Sequence, residues 1–265
     1  MKKYFVIGNP IEHSLSPKLH NYWIKKNNIN AIYEKKKVNR EDLKSIIFKV
    51  KENLIQGINV TVPFKKDVIS YVDNLSPEAD STQSVNTIYL SGDKIIGHNT
   101  DIAGFELSIK KIKYDINNKR VLILGAGGVV PSIILALKRM KALSITVTNR
   151  TKKKAEDLKI FFKELKIVDW GDIPHFDIVI NATSIGLKKE DKINLNFSNI
   201  GNNKFFYDVI YNPEETEFLK TGKQLGNMTE NGKMMFIYQA HQAFTLWHKL
   251  MPEIDDKTIK VLKND

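Results

Sequence analysis

Residues 120–140 read "RVLILGAGGVVPSIILALKRM", an apolar run that ends in Gly125, Gly127 and Gly128 and passes directly into a helical pattern. A second apolar run, "SITVTNR" at 144–150, follows, so the local order is strand, turn, helix, strand. Gly125 permits the tight turn and Gly127 lets the backbone approach a pyrophosphate. The helix N-terminus adds free N–H groups and the positive end of a dipole. This context predicts a Rossmann-type dinucleotide site built on Gly125, Ala126, Gly127, Gly128 and Val129. The sixth position of the motif is Val130 where glycine or alanine is usual, which predicts a helix set slightly farther from the sheet.

The end of the second strand selects the dinucleotide. An enzyme that uses NAD typically places an acid there, on the ribose 2′-hydroxyl. Here Asn149, Arg150 and Thr151 stand in that place, with Lys154 one turn on. An arginine pairs with a 2′-phosphate through charge-assisted hydrogen bonds, so NADP is the expected cofactor.

Working outward, apolar runs alternate with helical patterns through the preceding hundred residues, from "YFVIG" at 4–8 to "KKDVISYV" at 65–72. Such alternation reads as an α/β fold with a mostly parallel sheet. Around residues 81–100 the pattern changes to two short strands joined by a turn with Gly92 near its tip. A helix, "AGFELSIKKI", comes next, and a domain boundary is placed near 103.

With 265 residues, 42% apolar and 27% charged, the chain can bury a core in one or two domains. The net charge of +11 does not read as a nucleic-acid surface, because the lysines alternate with acids, as in "KKKAEDLK". A basic surface also suits small anionic substrates. No run approaches the length of a membrane span, and "YFVIG" is too short for a signal peptide, so the expected compartment is the cytoplasm. The absence of cysteine excludes disulfides, thiolate nucleophiles and cysteine-bound zinc.

The first hundred residues carry a second set of polar groups. In "HSLSPKLHN" Ser14 and Ser16 precede a helix whose first position is Pro17, which makes Ser16 the expected N-cap and the two hydroxyls a ready seat for a carboxylate. His13 and His20 are read as structural. In "GINVTVPFKK" at 57–66, alternation puts Asn59 and Thr61 on one face of a strand close to its end, where open α/β sheets bind ligands. Lys65 then falls at or just before a helix start, an unfavourable place for a cation unless an acid stands by. Asp101 in "HNTD" could be that acid, and Asn86 in "SVNT" with Asn99, Thr100 and Asp101 in "HNTD" could converge on the same strand ends.

Taken in order, "HSLSPKLHN", "NVTVPFK", "SVNT", "NTDIAGF", "LGAGG", "NRTKKKAEDL", "NATSIGL", "DVIYNPEETEFL" and "FIYQAHQAF" resemble the shikimate dehydrogenase family along essentially the whole chain. "GGVVPS" and Leu187 depart from it, since the family commonly has small residues with arginine, and methionine, at those places. The resemblance implies an N-terminal substrate domain, residues 1–103 plus 234–265, a C-terminal NADP domain, 104–233, and a cleft between them. It implies that Ser14, Ser16, Asn59, Thr61, Asn86, Asp101, Tyr211 and Gln239 hold shikimate, with Lys65 and Asp101 the catalytic pair. Asn149, Arg150, Thr151 and the glycine turn would hold NADP, and Ala182, Thr183, Ser184, Val209 and Gly232 would lie along the nicotinamide. The activity implied is reversible NADPH-dependent reduction of 3-dehydroshikimate to shikimate, without a metal, in a monomer or homodimer that binds neither nucleic acid nor membrane. Two alternatives are a quinate/shikimate dehydrogenase of looser cofactor choice and a non-catalytic ligand sensor; the intact Lys65 and Asp101 speak against the sensor.

Overall fold

The structure, a computed structural model, describes residues 1–188 and 190–262. It divides into two compact units, residues 1–104 with 237–262 and residues 105–236. The substrate domain read from the sequence ended at 265, and its last three positions lie outside the described residues.

The first unit runs β1 (Lys2–Gly8), α1 (Ser16–Lys26), β2 (Ala31–Lys37), α2 (Leu43–Lys51), β3 (Gly57–Val60), β4 (Asn74–Leu75), α3 (Pro77–Thr82), β5 (Thr87–Ser91) and β6 (Lys94–His98). Its sheet has the order β2-β1-β3-β5-β6-β4. The first three strands are parallel and the β5–β6 hairpin is antiparallel, with Gly92 at positive φ in the two-residue turn between Ser91 and Lys94. Ile7, Ile47, Val50, Ile58 and Ile88 fill the core between this sheet and α2. On β3 all four residues are buried, so Asn59 enters the interior and must find partners there.

One helix start differs from the expectation. α1 begins at Ser16, after a helical Leu15, and no side chain caps it. Ser14 accepts the backbone N–H of Ser16 itself (3.3 Å), and Ser16, already inside the helix, is buried and does not cap it.

α4 (Asp101–Lys111) leads into the second unit, which comprises β7 (Arg120–Leu124), α5 (Val130–Arg139), β8 (Ser144–Thr148), α6 (Lys152–Glu156), β9 (Lys166–Val168), β10 (Ile178–Asn181), β11 (Phe205–Asp208), α7 (Glu217–Gln224) and β12 (Met228–Glu230). α8 (Lys233–His248) and α9 (Asp256–Lys260) complete the chain. All pairs of the second sheet are parallel and its order is β12-β11-β10-β7-β8-β9. The strand order reverses between β7 and β10, the switch point where open α/β sheets bind ligands. Gly125 sits there at φ 109°, and a Cβ on it would stand 2.9 Å from the Ala182 carbonyl oxygen, so both conformation and contact require glycine. Val130 is fully buried at the start of α5.

In the first unit, His20 lies in an aromatic box with Trp23, Tyr33, Phe244 and Trp247, and neither ring nitrogen has a partner. Burial, with a smaller push from His248, lowers its pKa to about 3. Between pH ~6.5 and ~3 the unfolded chain takes up a proton that the folded chain refuses, so this group's contribution to stability falls as pH drops through that window. His20→Phe is expected to keep more of its neutral-pH stability at pH 4 than the wild type does, measured by urea unfolding; an equal loss in both would rule the effect out.

Candidate active site

Lys65 and Asp101 meet in the first unit at 2.5 Å, with only 9% and 6% of each residue exposed. Lys66, its sequence neighbour, is exposed. The lysine follows the turn after β3, where its backbone carbonyl accepts the Val85 N–H (2.8 Å), and it precedes a short 3-10 turn, Asp67–Tyr71. Asp101 opens α4, so its carboxylate sits at the favourable end of the helix dipole. Its own N–H is held by Asn99 Oδ1 (3.0 Å).

Asn86 completes the cluster. Its Nδ2 donates to Asp101 Oδ1 (2.8 Å) and to Thr100 Oγ1 (3.0 Å), and its Oδ1 accepts the Thr100 N–H (2.8 Å). Asn59 donates to the Asn86 carbonyl and to Thr87 Oγ1, both at 3.1 Å, and accepts from the Tyr33 phenol at 2.7 Å. The structure therefore gathers Asn59, Lys65, Asn86 and Asp101 into one buried network, with the Tyr33 phenol bonded to Asn59 at its edge. Thr61 sits just beyond β3, in front of Gly8, and is half-buried, as is Ser14. Gln239 is half-buried on the part of α8 that belongs to this unit. Tyr211 belongs to the second unit, where it stacks on Phe236 (4.5 Å between centroids).

Reading the sequence missed Tyr33 and Thr87, whereas residues 99–101 of "HNTD" were expected to converge here.

In the second unit the glycine turn presents the uncapped start of α5, with Gly127 and the Ala182 carbonyl side by side. Asn149 is pinned to the Thr151 carbonyl (2.8 Å), and the Lys154 N–H returns to that same carbonyl (3.0 Å). Lys152 and Lys153 are paired with Asp169 and Asp157, whereas Arg150 and Lys154 pair with no carboxylate among the described residues. An exposed guanidinium with no carboxylate partner among the described residues, at the end of the strand next to the glycine turn, fits a nucleotide 2′-phosphate.

Asn181 and Asp208 lie opposite each other at the ends of β10 and β11. Asp208 accepts from Asn181 (3.0 Å), Thr216 (2.6 Å) and the Ile210 N–H (3.0 Å), and Asn181 accepts from the Thr183 N–H and hydroxyl. This brace fixes the loop bearing Ala182, Thr183 and Ser184. Burial raises the Asp208 carboxyl to about 6 against the opposing pull of these donors. Val209 follows Asp208, and Gly232 packs so tightly on its carbonyl that no side chain fits.

A parallel sheet with a glycine turn at its switch point, in a chain whose other unit holds a buried lysine–carboxylate pair, defines a nicotinamide-nucleotide oxidoreductase. Two family models match: a shikimate dehydrogenase substrate binding domain over residues 6–88 and a shikimate/quinate 5-dehydrogenase over 106–209. A relative from Pelagibacter ubique named shikimate dehydrogenase (NADP(+)) is 58% identical over 99% of both chains. The crystal structure of shikimate dehydrogenase from Aquifex aeolicus superposes with a TM-score of 0.91 at 34% identity, covering 100% of this chain and 98% of that one. The Thermus thermophilus enzyme, solved in complex with NADP(H) and shikimate, gives 0.88 at 29% identity over 98% and 97%. The chain belongs to the shikimate dehydrogenase family.

Replacing Lys65 by alanine is expected to lower kcat by roughly a hundred- to ten-thousandfold, the span of a positioned acid or base. Lys66→Ala should turn over at nearly the wild-type rate. Steady-state kinetics on both folded variants, with circular dichroism to confirm folding, decides; a Lys65→Ala enzyme that keeps more than about a tenth of wild-type kcat would lie outside that span and remove the lysine from catalysis.

Proposed function

We propose that this chain catalyses the reversible, NADPH-dependent reduction of 3-dehydroshikimate to shikimate. The observation that carries the reading is the buried Lys65–Asp101 pair bonded to Asn86, in a chain whose second unit offers Arg150 and no acid at the cofactor's 2′ position.

In this reading Ser14 and Ser16, with Thr61 and Tyr211, receive the substrate carboxylate, and Asn86, Asp101 and Gln239 receive its hydroxyls. Asn59 supports this set from behind. Gly125, Ala126, Gly127, Gly128 and Val129 hold the pyrophosphate; Asn149, Arg150, Thr151 and Lys154 hold the 2′-phosphate ribose. Ala182, Thr183, Ser184, Val209 and Gly232 flank the nicotinamide. Bound NADP supplies the hydride chemistry. Lys65 donates a hydrogen bond to the C3 oxygen as charge develops there, and Asp101 orients the same group while keeping the ammonium paired. The protein works in the cytoplasm as a monomer or homodimer, a placement supported by its small soluble substrates; no helix among the described residues is long and apolar enough to cross a membrane.

The test is an absorbance assay at about 340 nm, following the reduced nicotinamide, that crosses shikimate and quinate with NADP and NAD. Fastest turnover is expected with shikimate and NADP, and equal or better rates with quinate and NAD would contradict the proposal. In the same assay Arg150→Ala should raise KM for NADP about ten- to a hundredfold, as for one lost charge-assisted contact, with the weaker NAD reaction nearly unchanged.

A further inference from the structure

Asn59 was expected to touch substrate, yet its amide is committed inside the protein. Both Nδ2 hydrogens are donated, to the Asn86 carbonyl and Thr87 Oγ1. Its Oδ1 accepts from Tyr33, a residue that the reading of the site does not use. An amide nitrogen has two hydrogens, so Asn59 has none left to give a ligand.

Tyr33 is built to stay where it is. It is 1% exposed, on β2, and its phenol reaches across β1 to Asn59 on β3. The ring lies flat on His20 (centroids 4.1 Å apart, planes at 3°). Its backbone is gripped at both polar atoms by Asn21 of α1, which donates to the Tyr33 carbonyl (2.8 Å) and accepts its N–H (2.9 Å). Burial pushes the phenol well above its ordinary pKa, so it keeps its proton and remains a donor to Asn59.

Beyond Asn59 the bonds continue without a break. Thr87 Oγ1 donates to Asn86 Oδ1 (3.0 Å), Asn86 Nδ2 donates to Asp101 Oδ1 (2.8 Å), and Asp101 Oδ2 holds Lys65. We infer that Tyr33 is a positioning residue, which by fixing the Asn59 amide aligns Asn86 on Asp101 at the reacting end of the substrate site. Asn59 is the internal link of that chain and not a substrate ligand. The inference rests on the reading of the site given above.

Tyr33→Phe keeps the ring and its stacking and removes only the hydroxyl. Its kcat with shikimate and NADP is expected to fall roughly tenfold, as for one loosened hydrogen bond acting on the transition state, while KM for NADP stays within about twofold. In an Asn59→Ala background the same change should have little further effect, because the hydroxyl acts through Asn59. Wild-type kinetics in folded Tyr33→Phe, or full additivity with Asn59→Ala, would overturn the positioning role. A wild type that fails to turn over shikimate would overturn the site reading and this inference with it. Should Tyr33→Phe not fold, the wild type decides by NMR with labelled tyrosine: the Tyr33 ring signals are expected to shift when shikimate is added without cofactor, and fixed signals would overturn the link.

Discussion

An ammonium group taken out of water must be given a counter-charge, and the first unit is organised around that requirement. Lys65 and Asp101 are each more than nine-tenths buried, and their separation of 2.5 Å leaves no room for solvent between them. Removing one partner of such a pair strands the other and typically costs about 3–5 kcal/mol. The surroundings meet the demand in steps. The start of α4 provides a dipole for the carboxylate, Asn99 holds its backbone, and Asn86 occupies its second oxygen. A lysine held this way has a fixed ammonium and a fixed orientation before any substrate arrives, which is the preorganisation that electrostatic catalysis needs.

The second unit meets a different constraint with similar means. The loops that hold the proposed cofactor residues leave the ends of β7, β10 and β11, and loop backbone must be satisfied or solvated. Asn181 and Asp208, opposed across two parallel strands, take that task for the loops that follow them. Gly125 lets the β7 turn pass within contact of Ala182. The rigid parts of the proposed cofactor side thus come from strand-end side chains and a glycine, and Arg150 stays exposed and pairs with no carboxylate among the described residues.

Much of this was legible in the sequence because it is local. The glycine turn, the strand on each side of it and the arginine at the next strand end lie within about thirty residues, and their spacing encodes their geometry. The β5–β6 hairpin followed from the turn at Gly92 for the same reason. What escaped was non-local or depended on a side chain's direction. Tyr33 sits in "AIYEKKK", where a tyrosine reads as ordinary strand filling; its link to Asn59 exists only because β1 inserts between β2 and β3. Ser16 was read as a cap because a serine before proline usually is one, but Leu15 is already helical and Ser14 takes the N–H. Asp208 drew no notice, since nothing in "DVIYNP" tells that its carboxyl will be buried against Asn181 and Thr216.

The central claim is that Lys65 acts on the reacting oxygen in the transition state and is not chiefly a binding group. Equilibrium binding of shikimate to folded Lys65→Ala, by isothermal titration calorimetry, tests it most directly. Dissociation within roughly tenfold of wild type, alongside a far larger loss of turnover, is the expected result, since an interaction made mainly in the transition state leaves ground-state affinity largely intact. Shikimate affinity that collapses in proportion to turnover would contradict the account and make Lys65 a binding residue.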